Sequence, residues 1–372
     1  MRKNYIDNLR SFVILLLFPF HTSRMYTSLE INYVQGNSNI GHDFFVRFTS
    51  TWFMYMLFLL AGISTVFSLR KRTLKQYYKE RVSRLLVPLI FGVVLTSPIQ
   101  TYYAELFHNG YTGSFLHQYI MFFTKETDLT GYTGGFTPAH LWFLLVLFLI
   151  TLLAYPFLKW MMNRKEEKNL SSEGKKRTTA DLFKLISLGI VIWAVSGLQI
   201  GGRDIVSMFL YFLIGVFILS KEDMLFLLKE KSKPLILTAL VVNLTSTWTT
   251  VAWEWGDTYS LLNLVCSAYR YLAGWLMILA LLGIGQVYLD FSTKATRYMA
   301  SNSFNIYFVH QTIMVPLGYY VLKGISNSVV QYLIVMVGTF IMSVLVVEII
   351  KRIPILNDMF GMKVKKARQK SM

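Results

Sequence analysis

Residues 5–26 read YIDNLRSFVILLLFPFHTSRMY, and a run this long and apolar predicts a transmembrane helix over residues 6–26. Arg10 and His21 lie inside it. At about 100° per residue the two side chains share one face, about 16 Å apart along the helix axis. Ionisable side chains inside a membrane are costly, so the pair is a candidate functional site. The alternative is that Arg10 reaches the lipid headgroups and His21 is a hydrogen-bonded core histidine.

The composition extends this interpretation to the whole chain. Of its 372 residues 54% are hydrophobic and only 15% are charged, against about a quarter charged in soluble domains. Further apolar segments lie at 50–69, 85–101, 139–158, 183–199, 204–220, 235–252, 260–282, 299–320 and 328–350. The sequence therefore predicts an all-α, polytopic bundle of about ten transmembrane helices, without a sizeable soluble domain. The first segment lacks the small-residue cleavage site of a signal peptide.

The net charge of +17 is unevenly distributed along the chain. With a cytoplasmic N-terminus, all but six of the 37 Lys and Arg residues lie on the cytoplasmic side. This pattern satisfies the positive-inside rule, predicts that both termini are cytoplasmic, and argues against nucleic acid as a partner. The predicted domains are a transmembrane domain, 1–350, and a basic cytoplasmic tail, 351–372, which would contact anionic lipid. The polar stretch 163–179 predicts a flexible linker between the fourth and fifth spans.

Three more ionisable residues occupy predicted spans. His140 opens the fourth span, Arg270 lies near the middle of the eighth, and His310 lies near the middle of the ninth. His140 is either part of a site or an interfacial anchor beside Trp142, and His310 either part of a site or a helix-packing hydrogen-bonding group. An unpaired guanidinium at the depth of Arg270 costs several kcal/mol, so it is expected to face a polar cavity or an anion.

A second cationic group lies where the third span enters the membrane. In YYKERVSRLLVP (77–88), Arg81 and Arg84 are three residues apart and would project from one helical face. With Arg10 at the same depth, they predict a pocket for a phosphorylated ligand. Ordinary anchoring at the membrane surface is the alternative.

Motifs that the sequence lacks exclude several classes of function. Cys266 is the single cysteine, so the chain has neither a disulfide nor a thiolate metal pair. The sequence contains no phosphate-binding loop of nucleotide-driven pumps and no dinucleotide-binding fingerprint. We therefore predict no bound cofactor and no metal site.

Taken together, the motifs resemble the acyltransferase 3 family of bacterial integral-membrane enzymes. Arg10 and His21 are similar to the R-X10-H signature of the family's first helix, and FMYMLFLLAGIS (53–64) to its second-helix pattern. Further matches follow in the family order: Arg81, Arg84, Leu85 and Pro88; Leu141 to Leu144; Ser303, Ile306, Tyr307 and His310. The resemblance covers about residues 3–350. The short, all-membrane layout is most similar to the branch that contains glucan biosynthesis protein C.

This resemblance implies an O-acyltransferase of the bacterial cytoplasmic membrane. It would move an acetyl or succinyl group from cytoplasmic acyl-CoA, as co-substrate, to a hydroxyl of an extracytoplasmic glycan acceptor. His21 would be the catalytic base, and Arg10, Arg81 and Arg84 would bind the donor. The candidate substrate-binding residues are Arg270, His310, His140 and Glu254. Many relatives carry a C-terminal esterase domain of the SGNH type, whereas the residues after the tenth predicted span are expected to form only the basic tail.

The sequence is also compatible with two other functions. A transporter or flippase for an amphipathic or anionic solute would use Arg270 and the histidines to line a path. Such folds show symmetry between the halves of the sequence and broken helices at corresponding places, and neither is evident. A membrane scaffold or sensor would leave Arg10 and His21 without a task.

Overall fold

The computed structural model describes residues 3–127, 129–167, 177–197, 204–253, 255–257 and 259–360. These residues form helices and no β-strand. The α-helices are α1 (Asn4–Arg24), α2 (Ile40–Ser50), α3 (Phe53–Leu69), α4 (Leu74–Arg81), α5 (Val87–Leu95), α6 (Ser97–His108), α7 (Phe115–Thr124), α8 (Trp142–Leu153), α9 (Tyr155–Glu167), α10 (Thr179–Val195), α11 (Ile205–Phe217), α12 (Glu222–Glu230), α13 (Ser232–Ala252), α14 (Leu261–Tyr288), α15 (Lys294–Gly324), α16 (Ser328–Ile350) and α17 (Pro354–Met359). A π-helical segment, Val82–Leu86, joins α4 to α5, and a 3₁₀ turn, Ala139–Leu141, precedes α8.

Several helices are long and apolar enough to cross a membrane. In the described part of the chain, five stretches meet this requirement: Ile40–Leu69, Leu74–His108, Ser232–Ala252, Leu261–Tyr288 and Ser328–Ile350. The number rises to seven if two bent helix pairs each count as one span. The first pair, α8 with α9, is bent by 48°, and the second, α11 with α12, by 101°. The all-helical class and the multi-pass membrane character are therefore confirmed.

The count of about ten spans stays a prediction. A helix overlaps each of the ten predicted segments, but α1, α10 and α15 do not meet the requirement of length and apolarity. Polar residues explain this for α15, because it buries Asn302, Ser303 and His310 inside the protein. Polar side chains of a membrane helix are accommodated where they face neighbouring helices instead of lipid.

The helices belong to two compact units. The first unit comprises Met1–Val13, Asp43–Tyr77 and Leu149–Ala300, and the second comprises Ile14–His42, Tyr78–Phe148 and Ser301–Met372. Residues 168–176 of the predicted linker and 361–372 of the predicted tail lie outside the described residues. The domain boundary at 350 stays a prediction.

Small residues bring the helices of the first unit into close contact. A Cβ atom on Gly62 of α3 would lie 2.1 Å from the carbonyl oxygen of Phe212 on α11, and one on Gly215 of α11 would lie 2.4 Å from the oxygen of Leu59. These distances are shorter than any van der Waals contact. The two helices can therefore cross with touching backbones only because both positions lack a side chain, which is typical of helix packing in membranes.

Other helices of the first unit pack around α14. Its Trp275 is fully buried and donates a hydrogen bond from Nε1 to the carbonyl of Leu185 on α10, at 2.9 Å. A Cβ atom on Gly283 would lie 2.5 Å from the carbonyl oxygen of Leu228, so α12 packs directly on α14. The stretch 221–233, which lies between two predicted spans, thus contains a helix, because the buried side chains of α12 recur with helical spacing.

In the second unit, α5 lies against both the 3₁₀ turn and α15. A Cβ atom on Gly92 would come within 2.4 Å of Leu141 and 2.6 Å of Phe308. The stretch 102–138, which lies between two predicted spans, is partly helical, since it contains most of α6 and all of α7. Glu105, which is buried, pairs with Lys125 at 2.8 Å and fixes the loop that leads to the 3₁₀ turn.

Candidate functional site

Three histidines from three separate helical segments meet in the second unit. His21 lies on α1, His140 in the 3₁₀ turn and His310 on α15. The ring centroids of His21 and His310 are 5.3 Å apart, and those of His140 and His310 are 5.1 Å apart. His140 and His310 are buried, whereas His21 is only half-buried. The cluster therefore has one accessible ring and two enclosed ones.

A strained turn places His140. Ala139 has φ 48°, in the left-handed region that a residue with a side chain rarely adopts. Its N–H donates to Oγ1 of Thr137 at 2.9 Å, which stabilises the turn. The hydroxyl of Tyr307 donates to the carbonyl of His140 from the other side. These bonds fix the backbone that aims the imidazole into the protein.

Both ring nitrogens of His140 are hydrogen-bonded. A carbonyl only accepts, so Nε2 donates to the oxygen of Phe308 at 2.9 Å, and Nδ1 of the neutral ring accepts from the Gln100 amide at 3.3 Å. The same amide nitrogen donates to Oγ1 of Thr312 at 3.3 Å. The ring is buried and both of its nitrogens are hydrogen-bonded, which does not match the alternative of an interfacial anchor. His140 instead orders the wall of the cluster.

One ring nitrogen of His310 is hydrogen-bonded, and the other has no hydrogen-bond partner among the described residues. Its Nδ1 donates to the carbonyl of Tyr307, one turn earlier on α15, so Nε2 of the neutral ring carries a lone pair. Nε2 is buried and has no hydrogen-bond partner among the described residues. A buried polar atom of this kind is unusual and marks a position where a ligand or water is expected.

His21 is the least constrained of the three. Its side chain makes no hydrogen bond to any residue the structure describes, and its ring packs against Phe20 at 5.3 Å as well as against His310. A half-exposed imidazole without committed nitrogens is free to accept a proton from a substrate. Within the described chain no carboxylate bonds to it, and its nearest ionisable ring is that of His310.

Arg10 and His21 lie on one unbroken helix, α1, as the sequence predicts. Arg10 belongs to the first unit, where Nη1 pairs with Asp7 at 3.1 Å and Nη2 donates to Ser64 at 2.8 Å. These two contacts hold the guanidinium in place at the start of α1. Its role in donor binding stays a prediction.

The other predicted donor residues lie in the second unit. Arg81 ends α4 and is half-buried, while Arg84 lies in the π-helical segment, is exposed, and is 4.0 Å from Glu80. A π segment has more residues per turn than an α-helix, and the common face predicted for Arg81 and Arg84 stays a prediction. Such segments occur often at functional sites. The pocket formed with Arg10 stays a prediction.

Arg270 and Glu254 complete the predicted site residues. Arg270 lies on α14 in the first unit and is half-buried. Glu254 lies outside the described residues. Cys266 is buried and unpaired. Among the residues placed by the structure, no group of three His, Cys, Asp or Glu side chains has the arrangement of a metal site.

The polar partners of the histidines were not predicted from the sequence. Gln100 is fully buried and contacts both His140 and Thr312. A glutamine near the end of the apolar segment 85–101 is a readable signal, because an amide inside a membrane needs a partner. The carbonyls of Tyr307 and Phe308 left no such signal, since every residue has one.

Fold and site together define a multi-pass helical membrane protein with an accessible histidine in a protein-lined cluster, an arrangement suited to acid–base chemistry. The chain belongs to the acyltransferase 3 family, because the model of that family's acyltransferase domain matches residues 3–348. The resemblance found in the sequence is thus confirmed. The protein is an enzyme that transfers acyl groups.

Several curated relatives are similar over nearly the whole chain. Glucans biosynthesis protein C of Salmonella paratyphi B and of Salmonella dublin are each 23% identical over 392 residues, covering 97% of this chain and 95% of the relative. The protein of the same name from Salmonella heidelberg is 23% identical over 385 residues with equal coverage. The predicted similarity to this branch is confirmed. No solved structure matches the chain.

Proposed function

We propose that the protein is an O-acyltransferase of the bacterial cytoplasmic membrane, with about ten spans and both termini in the cytoplasm. It moves an acetyl or succinyl group from cytoplasmic acyl-CoA to a hydroxyl of an extracytoplasmic glycan. Family membership supports acyl transfer, and the name of the relatives, which refers to glucans, supports a glycan acceptor. The positive-inside distribution of Lys and Arg supports the orientation.

The observation that carries the proposal is the state of His21. It is half-exposed, forms no side-chain hydrogen bond within the described chain, and lies 5.3 Å from the ring of His310, which is itself held by Tyr307. A general base needs a free nitrogen that substrate can reach, within a frame that holds its ring. Of the three clustered histidines, His21 is the one whose nitrogens and exposure satisfy both needs.

The transfer then proceeds by base-assisted attack. His21 accepts the proton of the acceptor hydroxyl as its oxygen attacks the thioester carbonyl carbon, and a C–O bond forms. The C–S bond breaks, and the proton held by His21 passes to the departing thiolate of coenzyme A. The ester and the free thiol leave, and the imidazole returns neutral.

The donor's phosphates are held about 16 Å from the base, at the other end of the face of α1 that carries His21. Arg10, Arg81 and Arg84 bind them, since guanidinium groups pair with phosphate oxygens through two parallel hydrogen bonds. The extended pantetheine arm then reaches along α1 to His21. On the acceptor side, His310, His140, Arg270 and Glu254 are the candidate contacts to the sugar or to the acyl group.

Vesicles of defined orientation test the function. Inverted vesicles loaded with glucan are expected to incorporate label from radiolabelled acetyl-CoA or succinyl-CoA added outside, because their cytoplasmic face is exposed. Right-side-out vesicles with glucan outside should take up little label unless acyl-CoA is trapped inside. The measurement is base-labile radioactivity in the glycan fraction.

Vesicles that carry the His21→Ala variant provide the background. A transporter would move glycan or donor across the membrane without forming an ester, so absence of base-labile label with both donors contradicts the proposal. Incorporation only when donor and acceptor are both on the extracytoplasmic side would contradict entry of the donor from the cytoplasm.

The inner arginines give a second prediction. We expect the double variant Arg81→Ala/Arg84→Ala to bind acyl-CoA about tenfold or more weakly, because each lost charge-assisted hydrogen bond is worth about 1.5–3 kcal/mol. Low salt should mask part of the loss, since the remaining cations then attract the donor from further away. Titration of purified protein with acyl-CoA at two salt concentrations measures both effects.

Arg352→Ala is the matched control, because Arg352 is exposed and lies on the same predicted side of the membrane. It should bind acyl-CoA like the parent. If the double variant is poorly inserted but the surviving protein keeps its donor affinity, Arg81 and Arg84 are membrane anchors.

A further inference from the structure

Two arginines of the first unit lack an anionic partner among the residues that the structure describes. Arg47 on α2 and Arg270 on α14 are both half-buried, and neither forms an ion pair with a described carboxylate. The Nε of Arg47 is buried and has no hydrogen-bond partner within the same residues. Arginine is rarely enclosed without a counter-charge, because removing its charge from water is costly.

The packing of the first unit brings the two side chains near each other. A Cβ atom on Gly274 of α14 would lie 2.2 Å from the carbonyl oxygen of Thr51, so the two backbones touch at this point. Arg47 and Arg270 each precede that contact by four residues, about one helical turn. The charge of Arg47 acts on Arg270 electrostatically, which agrees with this placement.

Hydrogen bonds hold the end of α2 in this position. Asn243 of α13 accepts from Oγ1 of Thr51 at 3.1 Å and donates to the carbonyl of Phe48 at 3.3 Å. Both contacts lie within about one turn of Arg47. The guanidinium of Arg47 therefore projects from a backbone segment that is held by Asn243 of α13 and packed against Gly274 of α14.

A carboxylate that bonds to Tyr271, the residue after Arg270, is already engaged by other groups. Asp204 is buried, caps α11 through the N–H of Ser207 at 3.0 Å, and accepts hydrogen bonds from Tyr271 at 2.9 Å and Tyr55 at 3.4 Å. Both tyrosines also lie within electrostatic range of Arg270. The carboxylate oxygens of Asp204 are thus directed to hydroxyls and a backbone amide, and Asp204 forms no ion pair with either arginine.

Two guanidinium groups in a partly dry environment repel each other, since like charges are screened weakly there. An oxyanion between them removes this repulsion and accepts charge-assisted hydrogen bonds from both groups. The planar fork of arginine matches the oxygens of a carboxylate or a phosphate. Tyr271, which follows Arg270 on α14, and Tyr55 both donate to Asp204, so polar hydroxyl groups also lie in this part of the unit.

We propose that Arg47 and Arg270 form a binding site for an oxyanion, a carboxylate or a phosphate, in the first unit. The two arginines belong to the first unit and the clustered histidines to the second. Arg270 is also a candidate substrate contact of the proposed function, but the anion site is argued from packing within the first unit and is tested by binding instead of turnover. Two sources can supply this chemistry: a soluble molecule with a carboxylate, or the phosphate of an anionic phospholipid. The common element is a small, planar or tetrahedral group of oxygens that both guanidiniums contact at once.

Anion-dependent stabilisation of the purified, full-length protein tests the site. The probes are succinate added to protein in neutral detergent, and phosphatidylglycerol in nanodiscs compared with nanodiscs of phosphatidylcholine. A ligand that binds only the folded state raises the unfolding midpoint. We expect one of the probes to raise it in the parent protein, and Arg47→Gln and Arg270→Gln to weaken that probe's apparent affinity about tenfold or more.

Arg297→Gln is the matched control, because Arg297 is an exposed arginine of the same unit. It should respond like the parent. Response to succinate identifies a soluble carboxylate as the ligand class, and response to phosphatidylglycerol alone identifies a lipid phosphate. If a Gln variant fails to fold, Arg47→Lys and Arg270→Lys keep the charge but lose the fork, and should show reduced affinity. Equal responses in all variants, or none in the parent, overturn the proposal.

Discussion

The His21→Ala variant is expected to lose about 10²–10⁴-fold in acyl-transfer rate, the contribution of a positioned general base. Expression, unfolding midpoint and acyl-CoA affinity should stay close to those of the parent. The physical reason is that the His21 side chain is half-exposed and makes no hydrogen bond within the described chain, so its truncation leaves no buried group without a partner. Turnover, donor binding and thermal unfolding are to be measured on one purified sample.

His117→Ala is the matched control for this variant. His117 is also a histidine of the second unit, but it is exposed and bonds to the hydroxyl of Tyr111 at 2.8 Å. Its truncation should leave turnover unchanged. If His21→Ala lowers the unfolding midpoint while the folded protein turns over normally, His21 is a packing residue and the catalytic assignment is wrong.

The second large effect is expected at the crossing of α3 and α11. Gly62→Leu should greatly reduce the yield of folded protein or lower its unfolding midpoint sharply, because even a Cβ at this position would lie 2.1 Å from the carbonyl oxygen of Phe212. Overpacking costs about 1–3 kcal/mol and more where backbone must move. Here the obstacle is backbone. Size-exclusion profiles of detergent-solubilised protein and its thermal unfolding measure the loss.

Gly62→Ala separates packing from helix propensity. In an unobstructed helix, alanine stabilises by about 1 kcal/mol relative to glycine. At Gly324, which ends α15, a Cβ atom would meet nothing within 4 Å, so Gly324→Ala should be neutral or slightly stabilising. A Gly62→Ala protein as stable as the Gly324→Ala protein would contradict the close crossing.

Local patterns in the sequence predicted the helices and the individual site residues. The apolar run around Arg10 and His21 gave a helix whose bounds, Asn4–Arg24, differ by two residues at each end from the predicted span. Family motifs singled out His310 and its neighbour Tyr307. Pro98 and Pro156 are further readable signals: each lies just after a helix break, one between α5 and α6 and one between α8 and α9.

Contacts between segments far apart in the chain could not be predicted from the sequence pattern. His21, His140 and His310 were each conspicuous, but their meeting depends on the left-handed turn at Ala139 and on packing of α5 against α15 through Gly92. Neither feature has a periodic signature. By charge pattern alone, Arg47 is one of several cations on the predicted outer side. Nothing in its neighbourhood along the chain indicates that α2 ends against α14.

The hydrogen bond from Nδ1 of His310 to the carbonyl of Tyr307 has a chemical consequence at the opposite side of the ring. A neutral imidazole held in this tautomer offers Nε2 only as an acceptor. An atom that approaches it must bring its own hydrogen. An alcohol meets this condition, whereas the carbonyl oxygen and sulfur of a thioester carry no hydrogen and are disfavoured there. In the proposed reaction Nε2 would therefore accept a hydrogen bond from a second hydroxyl of the sugar acceptor, while the attacking hydroxyl gives its proton to His21.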